Sequence, residues 1–340
     1  MKRITTLFLF ICLFLCGCRA QVAPSQPVRK AAPEAPLHTM FIPAEPTPRP
    51  LEPIKLVSYR IKEENFAECS EPGTLVTAEY QTKDYVKGLE EPITKNLCIY
   101  LPYGYDEEKQ YDVLFLMHTS GADENFWLKR EMSYAYPDTG YITVCVKDLV
   151  DNMIQQGRCR PCILVAADGF INDNLRSVHD TSTAYTQFAY EFGEDIMPYV
   201  AENYATYAEG SDRASLSAAR EHFGFLGASY GAYMCYLSIL PDNLDIVANF
   251  AMSGGGSMDY NSLYKSWVAH GTENFPISYL YIGTGEFDER AGPEGAYLNF
   301  LSAPDRFSKD NLHFTLYEQT RHEPREWINS LYNVLQLFFR

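Results

Sequence analysis

From about residue 70 onward, the chain alternates short apolar runs with stretches of helical periodicity. The apolar runs have the length and composition of buried strands, and they occupy residues 97–101, 111–117, 163–167, 223–226, 245–252, 279–282 and 312–317. After the third run, apolar residues recur every four positions, at Phe188, Phe192, Ile196 and Val200. This spacing predicts a helix over residues 184–204. A second amphipathic helix is predicted from about Pro324 to the end of the chain.

The order of these elements indicates the fold class. Strands that alternate with helices over about 270 residues are typical of an α/β protein. In such proteins the sheet is largely parallel, and helices cover both of its faces. We therefore predict one domain with a mostly parallel central sheet and helices on both faces.

The first residues have the pattern of an export signal. Lys2 and Arg3 precede an unbroken apolar run of ten residues, 7–16. Ten residues are too few to span a bilayer as a helix, but they suit the core of a secretion signal. Residues 15–18, Leu-Cys-Gly-Cys, resemble a bacterial lipobox, which implies cleavage before Cys18 and a diacylglycerol on its thiol. The alternative is an ordinary secretory signal that is cleaved nearby.

A proline-rich segment follows this signal. Residues 19–55 contain 9 of the 20 prolines and show no hydrophobic periodicity. Such a sequence cannot bury enough apolar surface to offset its ordering entropy, and it favours extended conformations. We therefore predict a signal peptide in 1–17, a lipidated Cys18 with a tether in 18–55, and a folded domain in 56–340. The protein is expected to be exported and anchored by lipid to the bacterial cell membrane or surface.

Net charge narrows the classes of partner. The chain has 28 Lys and Arg residues against 44 Asp and Glu residues, a formal net charge of −16. Because a nucleic-acid-binding protein needs a basic surface to displace counterions, we expect no nucleic-acid partner. An acidic chain also adsorbs poorly to anionic lipid, so membrane contact is expected through the N-terminal lipid only.

Six cysteines lie outside the signal and the lipobox: Cys69, Cys98, Cys145, Cys159, Cys162 and Cys235. An even number in an exported protein permits disulfides without requiring them. Cys159 and Cys162 have the spacing of a redox motif, but they precede a strand instead of opening a helix after one. No second pair with the spacing of a zinc site is visible. We interpret these cysteines as structural or incidental, and we predict neither a metal nor an organic cofactor.

The strongest local motif is Gly-Ala-Ser-Tyr-Gly at residues 227–231. It follows the apolar run 223–226 and precedes a helical pattern over 232–240, which is the setting of a nucleophile elbow. Glycines on either side avoid collisions at the tight turn and leave the serine oxygen exposed to the site. Ser229 is therefore the candidate nucleophile. The backbone N–H of Tyr230, in the first turn of the helix, is a candidate oxyanion donor.

A serine nucleophile needs a general base, and its position in the chain can be predicted. Three histidines follow Ser229: His270, His313 and His322. His313 lies inside an apolar strand, and His270 precedes the last two strands. His322 lies just after the last strand and just before the C-terminal helix, where the base of a Ser–acid–His chain order is expected. His322 is therefore the candidate base.

Two further groups complete the expected chemistry. Asp288 or Glu286, which follow the penultimate strand, could accept the ring proton of His322. Asp288 is preferred, and Glu286 is the alternative. A second oxyanion donor is expected from the loop after the apolar run 111–117, at the backbone N–H of Thr119 or Ser120.

With these residues placed, the chain resembles the esterase D-type α/β-hydrolases. Within them it is most similar to carbohydrate esterase family 1, the feruloyl esterase domains attached to bacterial xylanases. The resemblance runs from about Gly73 to Phe339. It rests on the blocks 100–105, 111–127, 220–222, 227–231 and 285–288, and on His322 with Trp327 five residues later.

The resemblance implies the α/β-hydrolase fold and a role for each candidate residue. Ser229 would be the nucleophile, His322 the general base and then the general acid, and Asp288 the acid that orients the imidazole. The backbone N–H groups of Ser120 and Tyr230 would hold the oxyanion.

The resemblance also implies a serine carboxylesterase that hydrolyses feruloyl (hydroxycinnamoyl) or acetyl esters on plant cell-wall polysaccharide through an acyl-enzyme. The chain departs from the family at Thr119 and at residues 320–321, where glycines are usual, and at Tyr230, where methionine or a similar residue is usual. Siderophore ester hydrolysis and acyl transfer to a sugar are alternatives on the same fold. An alternative from another class is a catalytically silent surface lipoprotein that binds glycan or a partner.

Overall fold

The computed structural model describes residues 49–136, 140–172, 181–255, 259–289, 292–303 and 305–340. All of them belong to one compact unit. The predicted signal peptide, Cys18 and the tether as far as residue 48 lie outside the described residues. Among the helices that are described, none is long and apolar enough to cross a membrane.

The strands of the described chain form a central sheet and a separate hairpin. In chain order they are β1 (Thr74–Asp84), β2 (Leu89–Leu101), β3 (Asp112–Met117), β4 (Met132–Tyr136), β5 (Gly140–Val144), β6 (Cys162–Ala167), β7 (Phe223–Ala228), β8 (Asn249–Ser253), β9 (Tyr279–Gly285) and β10 (Leu312–Tyr317). The central sheet has the strand order β1-β2-β6-β3-β7-β8-β9-β10, and β4 pairs with β5. Pairing is antiparallel between β1, β2 and β6 and parallel from β6 to β10. The predicted mostly parallel sheet is confirmed.

Helices lie between these strands. They are α1 (Val146–Gln155), α2 (Thr181–Glu191), α3 (Met197–Asn203), α4 (Arg213–Ala218), α5 (Tyr230–Met234), α6 (Leu240–Asp242), α7 (Tyr260–His270), α8 (Gly292–Leu301) and α9 (Pro324–Leu337). A π turn joins α2 to α3, and another joins α5 to α6. The predicted helix over 184–204 is thus one helical stretch with a π turn in its middle.

Side chains of each inner strand alternate between two apolar clusters. In β3, Val113 and Phe115 belong to the cluster that includes side chains of α2, α3 and α5. Leu114 and Leu116 belong to the other cluster, with side chains of α1 and α9. Because successive side chains of a strand point to opposite faces, the two clusters lie on the two faces of the sheet. The predicted coverage of both faces by helices is confirmed.

The segment before β1 corrects one predicted boundary. We placed residues 49–55 in the tether, but they pack on the domain. Glu52 N–H donates to the carbonyl of Gly157 at 2.8 Å, and Lys55 N–H donates to the side-chain oxygen of Gln336 at 3.0 Å. An extended proline-containing chain satisfies none of its own backbone groups, and here groups of the domain satisfy them. The predicted start of the folded unit at residue 56 is therefore too late.

Candidate active site

Ser229 lies at the sharp bend between β7 and α5. Its backbone has φ 54° and ψ −112°, a conformation that residues other than glycine rarely adopt. Its N–H donates to the carbonyl of Ser253, at the end of neighbouring β8, at 2.8 Å. The bend therefore holds the serine at the carboxyl edge of the sheet in a strained turn, as the elbow motif predicts.

The two glycines of the motif are required by close backbone contacts. A Cβ atom at Gly227 would lie 1.9 Å from the carbonyl oxygen of Gly231. A Cβ at Gly231 would lie 2.6 Å from the carbonyl oxygen of Met117, the last residue of β3. Helix α5 can thus start directly against the ends of β7 and β3, which places the loop after β3 beside the elbow.

The close contact at Gly227 predicts that a larger residue there destabilises the fold. Gly227→Ala is expected to lower the free energy of unfolding by about 3 kcal/mol. The added methyl group would overlap the backbone at Gly231, and the end of β7 and the start of α5 would have to move apart to make room for it. Urea unfolding measures the change. Gly295→Ala is the control, because a Cβ there meets nothing within 4 Å on an exposed turn of α8. An equal loss in both variants would contradict the steric explanation.

The structure brings the serine, the histidine and the preferred acid together. Ser229 Oγ lies 2.8 Å from His322 Nε2, and His322 Nδ1 lies 2.9 Å from Asp288 Oδ2. The Asp288 side chain is fully buried, whereas 20% of the His322 side chain is exposed. In this arrangement the imidazole donates its Nδ1 proton to the carboxylate and accepts from the serine hydroxyl, which is the geometry of a Ser–His–Asp triad.

The alternative candidates for the acid and the base do not join this triad. Glu286 is exposed, and its carboxylate accepts from the backbone N–H of Gln319 at 2.8 Å. His313 stacks on Tyr279 in the sheet, and burial lowers the pKa of its ring. His270 lies at the end of α7, 3.5 Å from the carboxylate of Asp242.

The loop that carries His322 is held from two directions. Phe287 N–H donates to the carbonyl of Thr320 at 2.8 Å, which ties the histidine loop to the loop of the acid. From the other side, the buried guanidinium of Arg325 donates to the carbonyl of Gln319. The indole of Trp327 meets the imidazole edge to face, with 5.5 Å between ring centroids. The imidazole is therefore fixed by covalent neighbours, backbone hydrogen bonds and packing.

The predicted oxyanion donors lie on the two segments that meet at the elbow. Tyr230 is the first residue of α5, so its backbone N–H is at the N-terminus of that helix. Ser120 is exposed in the turn after β3, where Ala122 N–H donates to the carbonyl of Thr119 at 3.2 Å. His118 braces this loop, since its Nδ1 donates to the Thr119 carbonyl at 2.7 Å. That the N–H of Ser120 holds an oxyanion stays a prediction.

Sequence reasoning missed one buried carboxyl group at this site, Glu326. It lies four residues after His322, in the first turn of α9, and its Oε2 is 3.9 Å from His322 Nδ1. Its Oε1 accepts from the backbone N–H of Gly285 at 3.1 Å. The spacing of one helical turn from the histidine is the signal that could have found it.

In the part of the chain that the structure describes, one group of side chains has the spacing to hold a metal ion: Asp288, His322 and Glu326. Their nearest nitrogen and oxygen atoms all lie within 4.8 Å of one another. The histidine atom in this group is Nδ1, which already contacts Asp288. A metal ion would therefore replace the contact that orients the imidazole, so these residues fit a triad better than a metal site.

An aromatic stack lies next to the nucleophile. The ring of Tyr230 is stacked on Phe170, with centroids 4.9 Å apart, and on Tyr185, with centroids 5.5 Å apart. The ring of His118 lies 6.5 Å from the same tyrosine. The departure from the family at residue 230 thus places a large, buried aromatic ring directly after the nucleophile.

Two curated relatives match parts of the chain. It is 29% identical over 200 residues to endo-1,4-beta-xylanase Y of Acetivibrio thermocellus, a match that covers 58% of this chain and 16% of that protein. It is 28% identical over 249 residues to an endo-1,4-beta-xylanase/feruloyl esterase of Xylanibacter ruminicola, covering 71% of this chain and 29% of that protein. The chain thus spans less than a third of the length of either relative. No family model matches it.

Solved structures are similar over most of the chain. The feruloyl esterase module from Clostridium thermocellum, solved as a serine-to-alanine mutant with sinapinate, has a TM-score of 0.67 at 23% identity and covers 84% of this chain and 95% of its own. A ferulic acid esterase of carbohydrate esterase family 1 from Anaeromyces mucronatus has a TM-score of 0.61 at 17% identity and covers 84% and 98%. The predicted α/β-hydrolase fold is confirmed, and so is the predicted resemblance of this chain to the feruloyl esterases of carbohydrate esterase family 1.

Proposed function

We propose that the protein is a serine carboxylesterase that removes feruloyl or acetyl groups from plant cell-wall polysaccharide. The observation that carries the proposal is the pair of hydrogen-bond contacts that join Ser229, His322 and Asp288 at a strained elbow. A serine is a poor nucleophile at neutral pH without such a base, and a base needs a group that fixes its tautomer. A protein that only binds has no physical need for all three residues in this geometry.

The proposed reaction has two acyl-transfer steps. Ser229 Oγ attacks the ester carbonyl while His322 Nε2 takes the hydroxyl proton, and Asp288 stabilises the imidazolium. The backbone N–H groups of Tyr230 and Ser120 hold the oxyanion. The tetrahedral intermediate collapses, the alcohol of the polysaccharide leaves with the proton from His322, and the acyl group stays on Ser229. Water then attacks in the same way, giving its proton to His322 and releasing the carboxylic acid.

The choice of acyl group and polymer rests on the relatives. The similar proteins include xylanases and feruloyl esterases, one of them bound to sinapinate. We therefore favour a hydroxycinnamoyl ester over an acetyl ester. The lipid anchor on Cys18 would keep this activity at the cell surface.

The proposal is tested with the purified protein and three substrates. We expect it to hydrolyse methyl ferulate and nitrophenyl acetate, and to release more ferulate than acetate from substituted xylan. A fluorophosphonate probe is expected to label Ser229. If the probe labels nothing and neither ester is hydrolysed, the protein is instead a silent member of the fold that binds glycan or a partner. If acetate release dominates, the esterase stands and the acyl preference is wrong.

A further inference from the structure

A buried lysine of β2 contacts the loop that follows β6. Nζ of Lys95 lies 2.5 Å from the carboxylate of Glu191, which also accepts from the hydroxyl of Tyr80. The same Nζ donates to the backbone carbonyl of Asp168 at 2.9 Å. Asp168 directly follows β6, at the edge of the sheet where the neighbouring strands β3 and β7 also end. The buried ammonium therefore contacts a peptide at the catalytic edge of the sheet.

This peptide, between Asp168 and Gly169, connects the lysine to a histidine. The carbonyl and the N–H of a trans peptide point in opposite directions, and the described chain contains no cis peptide bond. The carbonyl faces Lys95, so the N–H points away from it. That N–H donates to Nε2 of the buried His118 at 3.0 Å.

The hydrogen bond from Gly169 decides which ring nitrogen of His118 carries the proton. Nε2 accepts and therefore presents a lone pair, so the proton lies on Nδ1. Nδ1 then donates to the carbonyl of Thr119 at 2.7 Å. The opposite tautomer would turn an N–H of the ring against the N–H of Gly169. A doubly protonated ring could donate to Oδ1 of Asp168, at the longer distance of 3.2 Å, but it would leave the Gly169 N–H facing another N–H.

A second peptide, between Thr119 and Ser120, ends at the predicted oxyanion hole. Its carbonyl accepts from His118 Nδ1–H and from Ala122 N–H at 3.2 Å, so its direction is fixed by two donors. The N–H of Ser120 points the opposite way, and it donates to no acceptor among the described residues. The carbonyl of His118, one peptide earlier, lies against the start of α5, because a Cβ at Gly231 would be 2.8 Å from it. The Ser120 N–H is therefore held in one direction beside the elbow.

We propose that Lys95 and His118 are positioning residues that form a relay of hydrogen bonds to the oxyanion hole. The steps of the relay run in one direction: Lys95 Nζ–H to the Asp168 carbonyl, Gly169 N–H to His118 Nε2, His118 Nδ1–H to the Thr119 carbonyl, and Ser120 N–H to the oxyanion. Such a chain is cooperative, since a group that accepts a hydrogen bond becomes a stronger donor at its other end. The inference rests on the proposed function, because an oxyanion forms only when an ester is attacked. Neither side chain touches the substrate.

Two substitutions interrupt the relay at different steps. Lys95→Met keeps an unbranched side chain but removes the ammonium, so kcat for methyl ferulate is expected to fall about tenfold as Ser120 N–H becomes a weaker donor. His118→Phe keeps a ring but removes both nitrogens, so kcat is expected to fall about 10²-fold, the effect of losing one oxyanion donor. KM is expected to stay constant in both variants, because the relay acts on charge that develops in the transition state.

Lys83→Met is the matched control. Lys83 is a lysine of β1 whose Nζ pairs with the exposed carboxylate of Glu90 at 2.8 Å. An ion pair of this kind contributes little to stability, so kcat is expected to stay within about twofold of the wild type. An equal fall of kcat in Lys83→Met and Lys95→Met would contradict the relay.

The combined variant separates a relay from two independent structural effects. If Lys95 acts through His118, then Lys95→Met lowers kcat no further once His118 is phenylalanine, and the total loss stays at about 10²-fold. Independent effects would instead multiply to a loss of about 10³-fold. That larger loss would overturn the inference, and so would an unaltered kcat in Lys95→Met alone.

Nuclear magnetic resonance of the protein with ¹⁵N-labelled histidine reads the relay directly. The signals of His118, identified by their absence in His118→Phe, are expected to show a proton on Nδ1 and none on Nε2. Lys95→Met is expected to move the Nδ1–H resonance upfield, because the hydrogen bond that it makes is less polarised. Lys83→Met should leave it in place. A proton on Nε2, or a resonance that Lys95→Met does not move, would refute the relay.

These spectra also separate the inference from the proposed function, since they report on His118 whether or not an ester is hydrolysed. A wild type without esterase activity that showed the expected tautomer and shift would retain the relay and lose the proposed function. An active enzyme with the proton on Nε2 would do the reverse. Because Lys95→Met leaves the buried Glu191 without its cation, Lys95→Met/Glu191→Gln takes its place if the single variant does not fold. The same fall in kcat and the same upfield shift are expected from it.

Discussion

Ser229→Ala is expected to lower the kcat for methyl ferulate about 10⁶-fold and to abolish labelling by a fluorophosphonate. The reason is that Oγ is the only atom of the triad that forms a bond to the acyl group, and alanine leaves His322 Nε2 with no proton to take. The loss should lie in kcat, with substrate binding retained. Single-turnover assays with methyl ferulate measure the first step, and mass spectrometry of the intact protein detects the acyl-enzyme in the wild type only.

A matched control separates loss of the nucleophile from loss of the fold. Ser302→Ala removes a hydroxyl group from an exposed residue after α8, where Oγ donates only to a neighbouring carbonyl at 2.5 Å. Its activity is expected to stay within about twofold of the wild type. Ser229→Ala should unfold no more easily than the wild type, because the one hydrogen bond that Oγ makes with the described residues is that with His322. Residual turnover above one per cent of the wild-type rate would contradict the role of Ser229.

The inner strands and the edge strand β10 were predictable as apolar runs, whereas the other edge strand, β1, was not. β1 alternates exposed and buried residues along Thr74–Asp84, and its exposed positions carry Thr77, Glu79 and Gln81. A search for apolar runs detects apolar strands and passes over a strand in which polar, exposed residues alternate with buried ones. The same criterion began β8 too early. Residues 246–248 are fully buried and apolar, but they precede the strand, which starts at Asn249.

Long-range pairing explains the wrong tether boundary. The polar side chains of α9 suggested a face toward solvent, yet Asn329, Asn333 and Gln336 are fully buried. The N-terminal segment covers this face. Asn333 Oδ1 accepts from Val57 N–H at 2.8 Å, and Gln336 Oε1 accepts from Lys55 N–H at 3.0 Å. No local pattern reveals such pairing between segments about 280 residues apart.

The triad could be predicted because its constraints are local or follow chain order. The first elbow glycine, Gly227, is required by a contact within five residues, with the carbonyl oxygen of Gly231. His322 and Asp288 follow from the requirement that base and acid lie on loops after successive strands at the same edge of the sheet. The choice between Asp288 and Glu286 could not be made in this way, since two residues on one loop differ only in which way each side chain points.

Asp288→Asn is expected to lower kcat about 10⁴-fold, because the amide nitrogen can donate to Nδ1 and stabilise the wrong tautomer of His322. That tautomer carries its proton on Nε2 and cannot accept the proton of Ser229. KM is expected to change little, because Asp288 is buried behind the imidazole and away from the substrate. Steady-state kinetics with methyl ferulate measure both constants.

Glu286→Gln is the matched control, an equivalent substitution two residues earlier on the same loop. It keeps the oxygen that accepts from Gln319 N–H at 2.8 Å, and it alters an exposed side chain, so kcat is expected to stay within about twofold. Asp288→Asn and Glu286→Gln each remove one negative charge from the loop. A difference in kcat between the two variants therefore reports the position of the side chain and not the charge of the loop. A large fall in the Glu286 variant with a small fall in the Asp288 variant would transfer the orienting role to the exposed acid.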